Sequence, residues 1–278
     1  MIGAPLITYF DLIGAALLLL LAAGLSLALS LGLGRDLVIG GLRAFVQLTL
    51  LGMALKWIFA ISNPWAVGIF IFVMLAAATR IATSRVKEPP AGLFFRSLLA
   101  LAIPGVAVTA AVTAGVIGAE PWYEPRFVLP IAGMVIGNTM NAVAVSLDRL
   151  FSDLRGDRER IVALLALGAR PREAIGEALS TALRAGLIPT LNAMSAAGIV
   201  FIPGMMTGQI LSGVDPALAS RYQLVVLAMI CAATAMGSTL AVLAGYRKAF
   251  DSEERFILEE PNKENTSGGS AKRAFKRS

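Results

Sequence analysis

Long apolar runs with brief polar punctuation dominate the chain. Seven of them, roughly residues 9–31, 40–61, 64–84, 95–118, 127–147, 185–206 and 222–245, hold few charges. Each is close to the ~20 residues that an α-helix needs to cross a hydrocarbon core of roughly 30 Å. The short alternating segments of a transmembrane barrel are not seen. The pattern therefore predicts an all-α, polytopic transmembrane helical bundle of about seven spans over residues 1–250. The remaining residues, 251–278, "DSEERFILEEPNKENTSGGSAKRAFKRS", carry no sustained apolar period and are expected to form a disordered polar tail. The first run follows "MIGAPLITYFDL", which has no basic leader and no clear cleavage site, so it is read as a retained helix.

The sixth run is the irregular one. From Thr190 to Ile202 it covers only about 20 Å of helix at 1.5 Å per residue, and "PGMMTGQIL" follows, Pro203 to Leu211. Either the helix begins near Arg184 and passes through Pro189, which makes Pro203-Gly204 an outer turn, or the chain breaks at Pro203-Gly204 within the membrane. Irregular backbone at that depth is tolerated only where it is buried in protein or lines a water-filled cavity. The break is the preferred expectation, with Met205, Met206, Thr207 and Gln209 facing a pathway.

The longest polar connection, residues 148–184, lies between the fifth and sixth runs. Charges at Asp157–Arg160 precede apolar residues at Ile161, Val162, Leu164 and Leu165, the pattern of an amphipathic helix over 157–167. Gly168 is placed to end it, and Pro171 to start a second helix at a favourable first-turn position. Such a pair could lie on lipid headgroups or dock a soluble partner.

Charge placement orients the chain. Arg35 and Arg43, then Arg80, Arg85, Lys87 and Arg96, then the basic stretch from Arg149 to Arg184, then Arg247 and Lys248, fall at alternate connections. The opposite connections hold only Lys56, Arg126 and Arg221, beside Glu120, Glu124 and Asp215. Lys and Arg collect in cytoplasmic loops, which predicts an outside N-terminus and a cytoplasmic C-terminus. The net charge of +6 is thereby assigned to topology, and no nucleic-acid partner is expected. Composition agrees with the class: 57% hydrophobic residues, 15% charged and a mean hydropathy of +0.76, where soluble domains carry about 25% charged residues. One cysteine, Cys231, excludes a disulfide framework, and with no histidine the commonest metal ligand and general base are missing.

Polar side chains inside the runs are the candidates for chemistry, because they are costly in hydrocarbon and usually face the bundle interior. Met134, Asn138 and Asn141 share a face of the fifth span, and Asn192 and Ser195 a face of the sixth, with Met194 beside them. Either set could bind helices together or line a substrate pathway. Gly133 and Gly137, and Ala110, Ala114 and Gly118, have the spacing of close helix packing, and Asp148 and Arg149 are read as a surface pair. Thioethers at Met134, Met140, Met194, Met205 and Met206 would favour soft cations, but methionine is also common core filling. No catalytic constellation is seen, so the chain is not expected to be an enzyme. No metal ligands are assigned and no intrinsic cofactor is expected.

"VALLALGARPREA" resembles the Glu-Ala-Ala-x-x-x-Gly loop of ABC-transporter permeases, with Ala163 and Gly168 matching and Val162 where that pattern has Glu. With "NTMNAVAVSLDRL", "ALRAGLIPTLNAMSAAGIV", "PGMMTGQILSGVDP" and "RYQLVVL" in the same order over residues 138–227, the chain resembles the FetB family. These are bacterial iron-export permeases of ABC type, related to a plant aluminium-tolerance half-transporter. The resemblance implies a multi-pass permease subunit of the inner (plasma) membrane that exports iron or another metal ion and contributes to metal or oxidative-stress resistance. It implies a homodimer, surrounding membrane lipid, and a separate cytoplasmic ABC ATPase that uses the ATP. The chain has no G-x-x-x-x-G-K-[ST] loop, which agrees with ATP chemistry supplied by a partner. Glu159, Ala163, Leu167, Gly168, Ala169 and Pro171 are then the expected coupling residues. Two alternatives stay open: a permease for a nucleotide-sugar, lipid or chelate, and a membrane scaffold without transport.

Overall fold

The computed structural model describes residues 9–61, 63–87 and 89–258. Its helices, in chain order, are α1 (Tyr9–Ala28), α2 (Gly34–Ile61), α3 (Pro64–Ser84), α4 (Leu93–Ala110), α5 (Pro125–Gly156), α6 (Arg158–Ala166), α7 (Pro171–Ala174), α8 (Gly176–Ala196), α9 (Gly204–Leu211) and α10 (Pro216–Gly245). A π-helical segment, Ala111–Ile117, continues α4 and ends at Gly118 in a left-handed conformation. No strand is formed among the described residues, so the protein is an all-α polytopic bundle.

Six of these helices are long and apolar enough to cross a membrane: Asp11–Ala28, Gly34–Ala60, Pro64–Ser84, Leu93–Ile117, Pro125–Gly156 and Pro216–Ala249. The seventh run, expected at 185–206, does not form one helix. α8 starts nine residues earlier, at Gly176, runs through Pro189 and stops at Ala196. Gly198 then takes φ +80, and the chain turns with Val200 N–H donating to Ala196 O (2.8 Å) and Gly198 N–H to Phe201 O (2.9 Å). The break thus falls before Pro203. Pro203 itself precedes the first turn of α9, where its missing N–H costs nothing, so "PGMMTGQIL" begins a helix and does not end one.

The described residues fold as two compact units, those up to Val67 with Ile202–Gln223, and Gly68–Phe201 with those from Leu224 onward. In the first, α1 and α2 form a helical hairpin whose turn is fixed by Leu33 N–H donating to Ser26 Oγ (3.0 Å). The two helices approach closely where Gly41 leaves room for Leu19 Cδ1, 2.7 Å from the position a Cβ would take. Their flanks, from Leu17 to Leu21 and from Phe45 to Leu51, are largely exposed apolar surface, as expected of helices solvated by lipid.

The second unit is built around α5. Its 32 residues measure about 48 Å, longer than a hydrocarbon core, and its inner face from Val128 to Leu154 is buried. α4 packs on one side of it and α8 on another. α10 fits alongside through small residues every fourth position: Ala233, Gly237, Ala241 and Gly245. A Cβ on Gly237 would strike Thr139 Cγ2 and lie 3.3 Å from Ala100 O; one on Gly245 would lie 3.0 Å from Leu147 Cδ2. Small residues let helix backbones approach closely where lipid is as apolar as the core and gives no hydrophobic drive to associate. Of the spacings read from the sequence, Gly133 meets only Met74 Cε at 3.4 Å, and Gly137 meets nothing within 4 Å. The closest approaches are made by Gly186 and Gly237.

Residues 251–258, expected in the tail, are packed. After one 3-10 turn (Tyr246–Ala249) the chain folds back, Phe250 pairs with Phe256, and Ile257 N–H donates to Ala249 O (2.9 Å). Phe256 and Leu258 join the core of this unit. The rest of the expected tail, 259–278, lies outside the described residues.

Candidate functional site

Two features of the second unit gather the sequence-derived candidates. The first is a helix–turn element at the end of α5. α6 follows α5 after the single residue Asp157, whose carbonyl accepts from Ile161 N–H (2.9 Å). Ile161 is buried and anchors the inner face of α6, while Glu159, Ala163 and Leu167, four residues apart, form an exposed stripe. The helix ends in a Schellman motif. Ala169 N–H donates to Leu164 O (3.0 Å) and Gly168 N–H to Leu165 O (2.9 Å), with Gly168 at φ +91. This geometry pushes Leu167 outward to 85% exposure, a lone apolar knob at the apex of the turn. Ala169 is half-buried, Pro171 opens the single turn of α7, and Glu173 Oε2 accepts from Arg170 N–H (3.0 Å). Arg160 ties α6 to α8 through Glu177 (2.7 Å). The second helix of the expected pair is therefore one turn that leads directly into α8. Arg149 pairs with Asp153 (2.9 Å), one helical turn along, and not with its neighbour Asp148.

The folded-back C-terminal segment braces this element from behind. Arg158, the first residue of α6, donates from Nη1 to Leu258 O, and its guanidinium carbon sits 5.9 Å from the centre of the Phe256 ring. Phe256 in turn stacks edge-on against Phe250 (5.5 Å). The turn is closed by Asp251, which accepts from Arg255 Nε (2.8 Å) and from the N–H groups of Glu253 and Arg255. The hydrogen bond from the Arg255 side chain is the main reason that the Asp251 carboxyl lies below its ordinary value. Its contribution to the turn is therefore present above the usual carboxylate pKa and is lost as pH falls through the depressed value. We expect Phe256→Ala to cost about 3–5 kcal/mol, as for other buried Phe truncations. Amide hydrogen exchange should rise first in α6, and unchanged α6 protection would refute the bracing role.

The second feature is a cleft of about 150 Å³ between α5, α8 and α10. α5 contributes Asn138, Asn141, Ala142 and Val145, one stripe at 3.6 residues per turn. α8 contributes Gly186, Pro189, Thr190 and Ala193, and α10 contributes Leu227 and Ile230. Asn138 Nδ2 donates to Met134 O (2.7 Å), which ties one end of that amide to its own helix. Pro189 has no N–H, so the carbonyl of Ala185, one turn earlier in α8, lacks its helical donor. Ser146 Oγ, fully buried and without a partner, lies against Gly186.

Of the candidates on α5 and α8, the structure brings Asn138 and Asn141 together in this cleft. Met134 supplies its carbonyl and does not line it. Asn192 and Ser195 are exposed and fall off the lining stripe of α8, which runs through Gly186, Pro189 or Thr190, and Ala193. Met205, Met206, Thr207 and Gln209 lie on α9, in the other unit; Thr207 Oγ1 donates to Pro203 O (3.2 Å), and Gln209 Oε1 is enclosed without a partner. Thr190 was not singled out by sequence, although its place one residue after an in-helix proline was a usable signal. Among the described residues no group of three or more His, Cys, Asp or Glu could hold a metal ion.

Spanning helices built on small-residue contacts, with an exposed helix–turn on the end of the longest one, define a multi-pass membrane protein of the helical-bundle class. The chain belongs to the uncharacterised protein family UPF0014, whose model matches residues 9–250. It is 36% identical over 248 residues to UPF0014 membrane protein slr1647 of Synechocystis sp., covering 89% of this chain and 93% of that protein. It is 31% identical to the Escherichia coli "Probable iron export permease protein FetB", with 91% and 96% covered. To the Arabidopsis thaliana "Protein ALUMINUM SENSITIVE 3" it is 32% identical, with 81% of each covered. The FetB relationship implied by the motifs is thus shown. No solved structure matches the chain.

Proposed function

We propose that the chain is the membrane permease subunit of an ATP-driven ABC transporter, exporting iron or another metal ion and contributing to metal or oxidative-stress resistance. The observation that carries this reading is the exposed stripe Glu159–Ala163–Leu167 ending at Gly168, on a helix joined to the longest span through one residue. A rigid span ending in an apolar knob suits the transmission of force from a soluble ATPase, and the name of the E. coli relative supplies the cargo and direction. In this reading Glu159, Ala163, Leu167, Gly168, Ala169 and Pro171 contact the ATPase, and ATP is hydrolysed there. The permease acts as a homodimer in the inner membrane. An outside N-terminus with a cytoplasmic C-terminus requires an odd number of crossings, so α8, whose 21 residues reach about 32 Å, counts as one beside the six long spans. The pathway runs past Asn138 and Asn141.

A second reading, a permease for a chelate or other non-metal cargo, is favoured by the lack of a metal-ligating cluster among the described residues. Cellular iron separates the two. Deleting the protein should raise cell iron under iron loading, and re-expression should restore it. Unchanged iron, with growth altered on another solute, would favour the second reading.

A further inference from the structure

A groove runs along one side of the α1–α2 hairpin. One stretch of it, about 500 Å³, lies between Leu12 and Leu19 of α1 and Leu42 and Phe45 of α2. The other, about 440 Å³, lies nearer the turn, between Gly24 and Leu27 of α1 and Gly34 and Arg35 of α2. Leu20 and Val38 line both stretches and join them. Small residues make the space. A Cβ on Gly24 would meet nothing within 4 Å, while one on Gly34 would lie 3.3 Å from Ala23 O, where the two helices approach each other. The lining is apolar except at Arg35, and Asp36, next in the chain, lies off it. Among the described residues Arg35 forms no ion pair.

An apolar groove alone favours no occupant over bulk lipid, because lipid tails are as apolar as leucine. A basic side chain at its end does discriminate. Basic pockets between spanning helices bind anionic headgroups, and a guanidinium can meet a phosphate through two parallel hydrogen bonds. The dimensions agree. α1 rises about 22 Å from Leu12 to Leu27, more than the roughly 15 Å of one hydrocarbon leaflet, so an acyl chain whose phosphate sits at Arg35 stays in the groove over its full depth. Arg35 also belongs to the connection that the charge pattern assigns to the cytoplasm, whose leaflet carries anionic lipid. We propose that this groove is a binding site for an anionic phospholipid, with the phosphate paired to Arg35 and one acyl chain laid between α1 and α2. The site depends on the chain's membrane class and not on its cargo. The bound lipid fills the open flank of a hairpin whose helices meet through glycine and alanine.

The test uses the full-length protein in nanodiscs of equal phosphatidylglycerol and phosphatidylcholine, with a trace of either lipid carrying a diazirine in its acyl chain. Peptide mass spectrometry then locates the photolabel. We expect the phosphatidylglycerol probe to label residues 12–27 and 38–45, and added phosphatidylglycerol to compete where phosphatidylcholine does not. Arg35→Gln should reduce that labelling about fivefold, the ~1 kcal/mol of one basic side chain at a membrane surface. Gly24→Leu should block it by filling the groove. Its melting temperature in detergent should stay at or above the parent's, because the new Cβ meets nothing within 4 Å and leucine favours helix over glycine. Size-exclusion profiles identify any variant that fails to fold, and the other variant then decides. Equal labelling by the two probes, or labelling that Arg35→Gln leaves unchanged in folded protein, would overturn the inference, since the groove would then hold bulk lipid only. So would a hairpin that takes no label from either probe, as expected of a face covered by a second copy of the chain. Neither outcome touches the export reading, which stands or falls on cell iron.

Discussion

Leu167→Asp should abolish assembly with the ATPase and leave the permease itself as stable as the parent. The side chain is 85% exposed and makes no packing contact that the fold would lose, so thermal unfolding in detergent should shift by less than about 0.5 kcal/mol. In a docked complex the same position would be desolvated, and truncating a central apolar anchor typically costs 2 kcal/mol or more. Aspartate adds an unpaired buried charge, which raises the loss to about 3–5 kcal/mol, roughly a hundredfold to several-thousandfold in affinity. Gly168→Ala should behave differently. At φ +91 a side chain costs about 1–2 kcal/mol, and the strain falls on the two hydrogen bonds that close the Schellman turn. That variant should lose both stability and stimulated ATP turnover. Pull-down of the ATPase with each purified variant, beside its melting curve, separates the two. Full assembly by Leu167→Asp would refute the docking role.

The contrast between these neighbours reflects what the sequence could reveal. α6, its glycine stop and the proline start were legible because caps and amphipathic periods are local signals, set by residues within one or two turns. The spans α1 to α5 and α10 were legible for the same reason. α8 was misplaced because Glu177 and Arg184 read as the polar face of a separate cytoplasmic helix begun at Pro171, whereas one helix carries them from Gly176 to Ala196. The break after Ala196 was hidden because it depends on Gly198 adopting a left-handed conformation, while Pro203 offered the louder but later signal. Residues 251–258 read as tail because Asp251, Ser252, Glu253 and Glu254 outweigh Phe256 and Leu258, and the Arg158 that holds both lies about a hundred residues away in sequence. The cleft was half legible. Asn138 and Asn141 share a face by spacing alone, but Thr190 joins them only through the α5–α8 crossing.

That crossing carries the largest structural prediction. Gly186→Ala should prevent α5 and α8 from packing as they do. Its Cβ would lie 2.7 Å from the backbone carbonyl of Ala142, with Ser146 Oγ closer still. A flexible side chain could move aside, but the Ala142 carbonyl belongs to the ladder of the most buried helix and cannot. Overpacking at such a site costs about 1–3 kcal/mol and more where backbone must shift, so we expect a fall of several degrees in melting temperature and loss of transport. Ser146→Ala in the same chain removes the hydroxyl clash and leaves the carbonyl one, so rescue should be partial. Complete rescue would show that the hydroxyl alone sets the spacing. Gly137→Ala is the control, because its Cβ meets nothing within 4 Å and alanine favours helix by roughly 0.5–1 kcal/mol. It should be neutral or slightly stabilising, although sequence spacing ranked it with the packing glycines. If Gly186→Ala melts like the parent, the close approach of α5 and α8 is wrong, and the cleft that depends on it must be redrawn.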